Sequence, residues 1–146
     1  FQVIPARTNS LGMRFVAVPG TEVLFSIWET RRQDYEAYAN AAAGVDGEWR
    51  SPGFPQAGNH PFVKVSWEDA QKFAVWLTEK ERQEGQLTAE QSYRLPTDVE
   101  WSRAVGLASE TGATPKARDR GVKGVFPWGT QWPPPFGAGN YAASLD

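Results

Sequence analysis

The feature that most constrains the fold is a set of three helix starts separated by long stretches rich in Gly, Pro and Trp. Each start places Thr or Ser three residues ahead of Gln, Asp or Glu, the spacing at which two side chains satisfy each other's free backbone donors. The three pairs are Thr30 with Gln33, Ser66 with Asp69, and Thr97 with Glu100. They predict three helices among 146 residues, so short strands and loops are expected elsewhere.

Apolar residues recur at helical spacing after the first two starts, which predicts one buried face on each helix. The expected buried residues are Tyr35, Tyr38, Ala39 and Ala42 in the first helix and Ala70, Phe73, Ala74 and Leu77 in the second. Glycines at Gly44, Gly85 and Gly106 are expected to end the three helices. The charged run 79–84 is interpreted as a solvated face of the second helix.

Three short segments have the composition of β-strands. Residues 13–18 and 23–28 are expected to form a hairpin across Pro19-Gly20-Thr21-Glu22, and residues 62–65 a further short strand. Residues 1–10 are interpreted as a polar N-terminal arm before a domain over 11–146, with ordered irregular structure over 107–140. Together with three helices, these strands predict an α+β fold with long ordered loops.

Composition excludes several kinds of site. The chain has no Cys, which removes disulfides, thiolate nucleophiles and cysteine-based metal sites. It has one histidine, His60, so a metal site built on several imidazoles is excluded. His60 lies in an Asn-His-Pro loop without a nucleophile motif, which disfavours a hydrolase.

Charge and hydropathy limit the partners. The net charge is −2 and the basic residues are scattered, so no nucleic-acid partner is expected. No run of 18 apolar residues occurs, so we expect a soluble chain without a membrane partner. The chain begins at Phe1 without a basic and apolar leader, which suggests a processed product; the cellular compartment stays open.

Four ordered motifs carry a family resemblance. Residues 61–70 read PFVKVSWEDA, residues 93–101 read YRLPTDVEW, residues 126–129 read FPWG, and residues 27–30 read IWET ahead of Tyr35. In order and spacing they resemble the N-terminal half of the formylglycine-generating-enzyme (sulfatase-modifying-factor) family, over most of residues 11–141. The resemblance implies a variant of the C-type-lectin fold, with small sheets and long loops.

The matching residues are interpreted as structural rather than catalytic. They are Ser66, Trp67, Arg94, Leu95, Pro96, Thr97, Glu100, Trp101, Trp128 and Gly129. Ser66 and Thr97 are expected to cap helices, and the three tryptophans are expected to pack in the core. If Arg94 is buried, it needs a carboxylate partner, for which Glu100 and Asp98 are the candidates.

The resemblance also implies cofactors. Family enzymes bind copper through a cysteine pair in a C-terminal segment that this sequence does not contain, so no copper site is expected in this chain. Family members also bind structural calcium shortly after the PWG segment, where Asn140 and the Tyr141 carbonyl match. Asn140 as a plain turn residue after Gly139 is an equal alternative.

Two functions follow from the resemblance. The first is a non-catalytic scaffold or binding module that recognises a protein or peptide, as in bacterial fusion proteins and the variable proteins of diversity-generating retroelements. A complementary C-terminal fragment is a further expected partner, since it would cover exposed apolar surface. The alternative is part of a copper-dependent formylglycine-generating oxidase that acts on a sulfatase cysteine, with its catalytic cysteines on another segment. A weaker third option is the iron-dependent sulfoxide-forming branch of the superfamily.

Overall fold

The computed structural model describes residues 7–107, 109–119, 121–126 and 128–138. Contacts divide the chain into two compact units, which are described separately. The first unit lies within Phe1–Ala17 and Glu22–Pro96, and the second within Val18–Thr21 and Thr97–Asp146. Strands and helices together give the α+β class that the sequence predicts. Among the described residues, none of the helices combines the length and apolar character needed to cross a membrane.

A three-stranded antiparallel sheet lies in the first unit. Its central strand β2, Arg14–Ala17, pairs with β1, Arg7–Thr8, on one side and with β3, Leu24–Ser26, on the other. The β2–β3 pairing, with Val16 opposite Phe25, confirms the hairpin predicted from the sequence.

The segment interpreted as an N-terminal arm contributes β1, so that interpretation is wrong for Arg7–Thr8. The cause is the turn that follows it. The buried side chain of Asn9 accepts hydrogen bonds from the backbone N–H groups of Leu11 (3.0 Å) and Met13 (2.9 Å). Gly12 takes a left-handed backbone conformation, φ 74°, which favours glycine. The turn reverses the chain and brings β1 beside β2.

Helix α1 spans Arg32–Ala41 and begins one residue later than predicted, because Arg31 rather than Thr30 is its N-cap. The buried carboxylate of Asp34 accepts hydrogen bonds from the backbone N–H of Arg31 (2.9 Å) and from two guanidinium nitrogens (2.9 and 2.8 Å). The backbone carbonyl of Thr30 instead accepts from the N–H of Phe62 (3.1 Å). A charged pair therefore replaces the predicted hydroxyl cap.

The other two predicted helices are confirmed. Helix α2 spans Trp67–Gln83 with Ser66 as its N-cap, and α3 spans Asp98–Ala104 with Thr97 as its N-cap. Two short elements were not predicted: a 3₁₀ turn at Glu48–Arg50 and a four-residue helix α4 at Pro115–Arg118.

The strand predicted over 62–65 is absent from the structure. Only an isolated bridge between Arg31 and Pro61 forms at this point. Lys64 has φ 57°, a left-handed conformation that interrupts an extended strand, and its ammonium binds the carbonyl of Ser51 at 2.8 Å. The segment is therefore held by loop contacts rather than by a sheet.

The core of the first unit is an aromatic cluster. Its buried members are Met13, Phe15, Tyr35, Tyr38, Trp49, Phe73 and Leu77. Tyr35 lies at its centre, with ring centroids 4.5 Å from Phe62 and 5.6 Å from Trp49. Burial is the main cause that raises the pKa of Tyr35 to about 12. The burial of Tyr35, Tyr38, Phe73 and Leu77 confirms that these residues lie on the helix faces predicted from their spacing.

Candidate functional site

The two predicted capping boxes are built as expected. The N–H of Asp69 donates to the hydroxyl of Ser66 at 3.1 Å, and the Asp69 carboxylate accepts from the Ser66 hydroxyl at 2.7 Å. These bonds from Ser66 hold the pKa of Asp69 below its ordinary value. Thr97 and Glu100 repeat the arrangement, with the Thr97 N–H 2.8 Å from the Glu100 carboxylate. Both motifs fix helix starts, and their side chains are committed to that role.

Two of the motif tryptophans are exposed, so their interpretation as core residues is wrong. Trp67 is 62% exposed and Trp101 is 56% exposed. Trp67 begins α2, about 9 Å along the helix axis from Phe73, the first residue of α2 in the aromatic cluster. In α3, Ser102 is buried, whereas the side chain of the adjacent Trp101 faces solvent.

Trp128 is half-buried and anchors an irregular loop. Its ring stacks on Phe126, with centroids 5.2 Å apart and an interplanar angle of 7°. Its indole N–H donates to the carbonyl of Gln131 at 3.0 Å. Phe126 and Gly129 exchange backbone hydrogen bonds of 2.7 and 2.9 Å, and Gly129 has φ 116°. Aromatic packing thus orders this loop, as the sequence predicts for the region 107–140.

Arg94 is exposed rather than buried. Its guanidinium donates to the carbonyl of Leu95 at 3.2 Å, and Pro96 then leads into Thr97. Asp98, considered as its partner, instead binds Arg118 of α4, with the Arg118 Nε at 2.7 Å.

The second unit contains a small cavity of about 230 Å³ with a mixed polar and apolar lining. The Ser102 hydroxyl donates a hydrogen bond of 2.5 Å to the Glu110 carboxylate, and Arg118 also lines the cavity. Arg118 is buried, and its guanidinium donates to Asp98 and to the carbonyl of Gly112 (2.5 Å). Each of its three guanidinium nitrogens donates to a protein acceptor, which is typical of a structural polar cluster. His60 belongs to the first unit, where its Nδ1 accepts from the Ala57 N–H at 3.4 Å.

Sequence reasoning missed a buried carboxylate, Glu81, in the run interpreted as solvated. Its side chain is fully buried and accepts from the Ser10 N–H at 2.8 Å. The Arg7 guanidinium and the Tyr93 hydroxyl each lie 3.4 Å from it. Burial alone would raise the pKa of Glu81. The hydrogen bonds from Ser10 and the charges of Arg7 and Lys80 together lower it by more than burial raises it, so the pKa is below its ordinary value. The spacing of Glu81 four residues after Leu77 was the available signal.

A second missed feature is an open groove beside α1 and α2, of about 580 Å³. We call it the α1–α2 groove. Its lining residues are Tyr38, Ala42, Glu68, Gln71, Lys72, Val75, Trp76 and Glu79. All eight lie in the first unit. The groove combines an aromatic floor with charged side chains, which is typical of a recognition surface.

The chain holds few ligands of the kind that copper(I) prefers. Copper(I) prefers sulfur ligands, and the chain has no Cys and a single Met, Met13, which is 4% exposed within the aromatic cluster. Across residues 7–107, 109–119, 121–126 and 128–138, no group of three or more His, Asp or Glu side chains could hold a metal ion. Asn140 and Tyr141, the candidate calcium ligands, lie outside the described residues.

Comparison with known proteins gives two matches. A family model described as sulfatase-modifying factor enzyme 1-like domain matches residues 8–143. The chain is also similar to a formylglycine-generating enzyme of Thermomonospora curvata, with 31% identity over 91 residues. That similarity covers 59% of this chain and 22% of the relative, so the chain matches only about a fifth of the relative's length. No solved structure matches the chain significantly.

Proposed function

Because the chain belongs to the family of sulfatase-modifying factor enzyme 1-like domains, we propose that these residues form a non-catalytic scaffold that recognises a protein or peptide. The observation that carries the proposal is the absence of any thiol together with the burial of the single methionine. A soft metal ion would have no sulfur ligand on the surface of this chain. The family motifs instead serve as helix caps and loop anchors.

The architecture supports a binding role. Long loops and short strands of this kind suit the C-type-lectin variant that we propose for the fold. Loops held by a scaffold commonly carry recognition. The α1–α2 groove adds a concave surface with apolar and charged groups.

Calcium is proposed as a structural ion at Asn140 and the Tyr141 carbonyl. An amide oxygen and a backbone carbonyl are suitable ligands for this hard cation, which takes six to eight oxygens. Two ligands are too few, so the site would need further oxygen atoms from elsewhere.

The alternative function is part of a formylglycine-generating oxidase with its cysteines on another polypeptide segment. The observation that favours it is the 31% identity over 91 residues between this chain and the Thermomonospora curvata protein named formylglycine-generating enzyme. In this alternative the present residues would still be the scaffold, and the chemistry would come from the other segment.

A copper(I) competition measurement tests the proposal. We expect the chain to leave a chromophoric copper(I) chelator fully loaded at equimolar protein, because it has no thiolate to compete. A synthetic peptide containing two cysteines serves as the positive control and should remove the metal. Withdrawal of copper by this chain would contradict the proposal and favour a metal-dependent activity.

A further inference from the structure

Helix α2 carries two faces, of which the aromatic cluster uses one. Phe73 and Leu77 point into the cluster. The second face repeats at positions 68, 71, 72, 75, 76 and 79, the spacing of one continuous side of a helix. These six residues all line the α1–α2 groove.

The centre of the groove is apolar and solvent-accessible. Val75 is 57% exposed although it lies in the middle of a 17-residue helix. Trp76 is half-buried beside it, and its ring lies 5.5 Å from that of Tyr38 in α1. Ala42, the C-cap of α1, also lines the groove. An exposed apolar centre with a rim of polar groups is typical of a protein interaction site.

The rim of the groove carries unpaired negative charge. Glu68 and Glu79 are exposed, and neither forms an ion pair within the part of the chain that the structure describes. Lys72 lies between them, but its ammonium is 3.5 Å from the Asp69 carboxylate, which offsets its charge. The two free carboxylates are separated by 11 positions, about 16 Å along the axis of α2.

We infer that the α1–α2 groove docks an amphipathic helix of a partner polypeptide that carries a basic residue near each end. The inference rests on the proposed recognition function and assigns it a place and a partner chemistry. Apolar side chains of the partner pack on Val75 and Trp76, and its basic residues meet Glu68 and Glu79. About three helical turns of the partner span the distance between the two carboxylates.

A helix fits this surface better than an extended strand. An added strand needs a row of free backbone N–H and C=O groups, whereas the α2 wall of the groove is a helix whose backbone is internally hydrogen-bonded. An amphipathic helix instead presents side chains at i, i+3, i+4 and i+7, which suits an apolar floor between two helices.

Fluorescence anisotropy with a designed peptide tests the inference. The probe is a labelled alanine-based helical peptide with leucines along one face and two lysines 11 positions apart. We expect it to bind the chain, and we expect the same peptide with glutamates in place of both lysines to bind at least about 10-fold more weakly. The preference should shrink at high salt, because exposed charges are screened.

Variants locate the binding site. Val75→Asp should reduce the affinity for the lysine peptide at least about 10-fold, since it places a charge in the apolar centre. The double variant Glu68→Gln/Glu79→Gln should reduce it about 3- to 10-fold, because two exposed ion pairs are lost. The matched control Glu22→Gln/Glu29→Gln removes two exposed carboxylates outside the groove and should bind as the wild type does. Circular dichroism melts establish that each variant is folded.

Three results would overturn the inference. They are equal binding of the lysine and glutamate peptides, wild-type affinity in both groove variants, and self-association of the chain that Val75→Asp abolishes. The last would make a second copy the occupant. None of these outcomes alters the copper competition, and copper binding would not alter the peptide result, so the two proposals fail separately.

Discussion

Tyr35→Ala is expected to lower the free energy of unfolding by about 3–5 kcal/mol, the range for removing a large buried aromatic ring. Tyr35 is 1% exposed and contacts four other aromatic rings of the first unit. Its removal leaves a cavity at the centre of the cluster, bordered by α1, α2 and the 3₁₀ turn. Urea unfolding, monitored by tryptophan fluorescence, measures the loss.

Exposed tryptophans provide the matched control for this prediction. Trp67→Ala and Trp101→Ala should each cost less than about 1 kcal/mol, because more than half of each side chain is already in solvent. A loss of several kcal/mol at Trp101, comparable to that at Tyr35, would contradict the exposure seen in the structure and restore the interpretation of Trp101 as a core residue.

Glu81→Ala is expected to lower the free energy of unfolding by about 3–5 kcal/mol, the cost of removing one partner from a buried charged network. The variant leaves the Ser10 N–H and the Tyr93 hydroxyl without their carboxylate, and it removes the charge opposite Arg7. Glu79→Ala, an exposed substitution on the same helix, is the matched control and should change stability by less than about 0.5 kcal/mol.

The pH dependence of unfolding distinguishes this network from simple packing. The pKa of Glu81 is lowered in the folded protein, so its contribution is present above the unfolded value of about 4.3 and is lost as the pH falls below it. Between about pH 5 and pH 3, the wild type should therefore lose more stability than Glu81→Ala. Parallel pH profiles for the two proteins would show that Glu81 does not act through its charge.

Local signals predicted much of the fold. The caps at Ser66 and Thr97 follow from hydroxyl and carboxylate residues three positions apart, an interaction that is complete within one turn. The buried residues Tyr35, Phe73 and Leu77 follow from helical spacing. The β2–β3 hairpin follows from two apolar segments around a Pro-Gly turn. Each of these features depends on neighbours in sequence.

Features that depend on distant residues could not be predicted in this way. Glu81 is buried because Arg7 and Ser10, more than 70 positions earlier, supply its partners. The backbone carbonyl of Thr30 accepts a hydrogen bond from the N–H of Phe62, 32 positions later. Trp67 is exposed because the cluster begins further along α2. No local pattern in the sequence encodes these pairings.

The candidate site was only partly predicted. The motif residues were correctly placed at helix starts and in the Trp128 loop, but the exposure of Trp67 and Trp101 was not. Helical spacing predicts the buried face of α2, but it does not predict that Val75 and Trp76 form a second apolar surface, so the α1–α2 groove was not predicted. The signal in the sequence was the apolar pair Val75 and Trp76, which shares one helix face with the polar residues at 68, 71, 72 and 79.

The most direct test of a non-catalytic scaffold is aldehyde formation on a cysteine-containing sulfatase peptide. The purified chain is incubated with the peptide, copper and oxygen, and formylglycine is trapped with a hydrazide and detected by mass spectrometry. The Thermomonospora curvata relative serves as the positive control. We predict no aldehyde above the enzyme-free background for this chain. Aldehyde produced by this chain alone, in amounts comparable to those of the relative, would contradict the account.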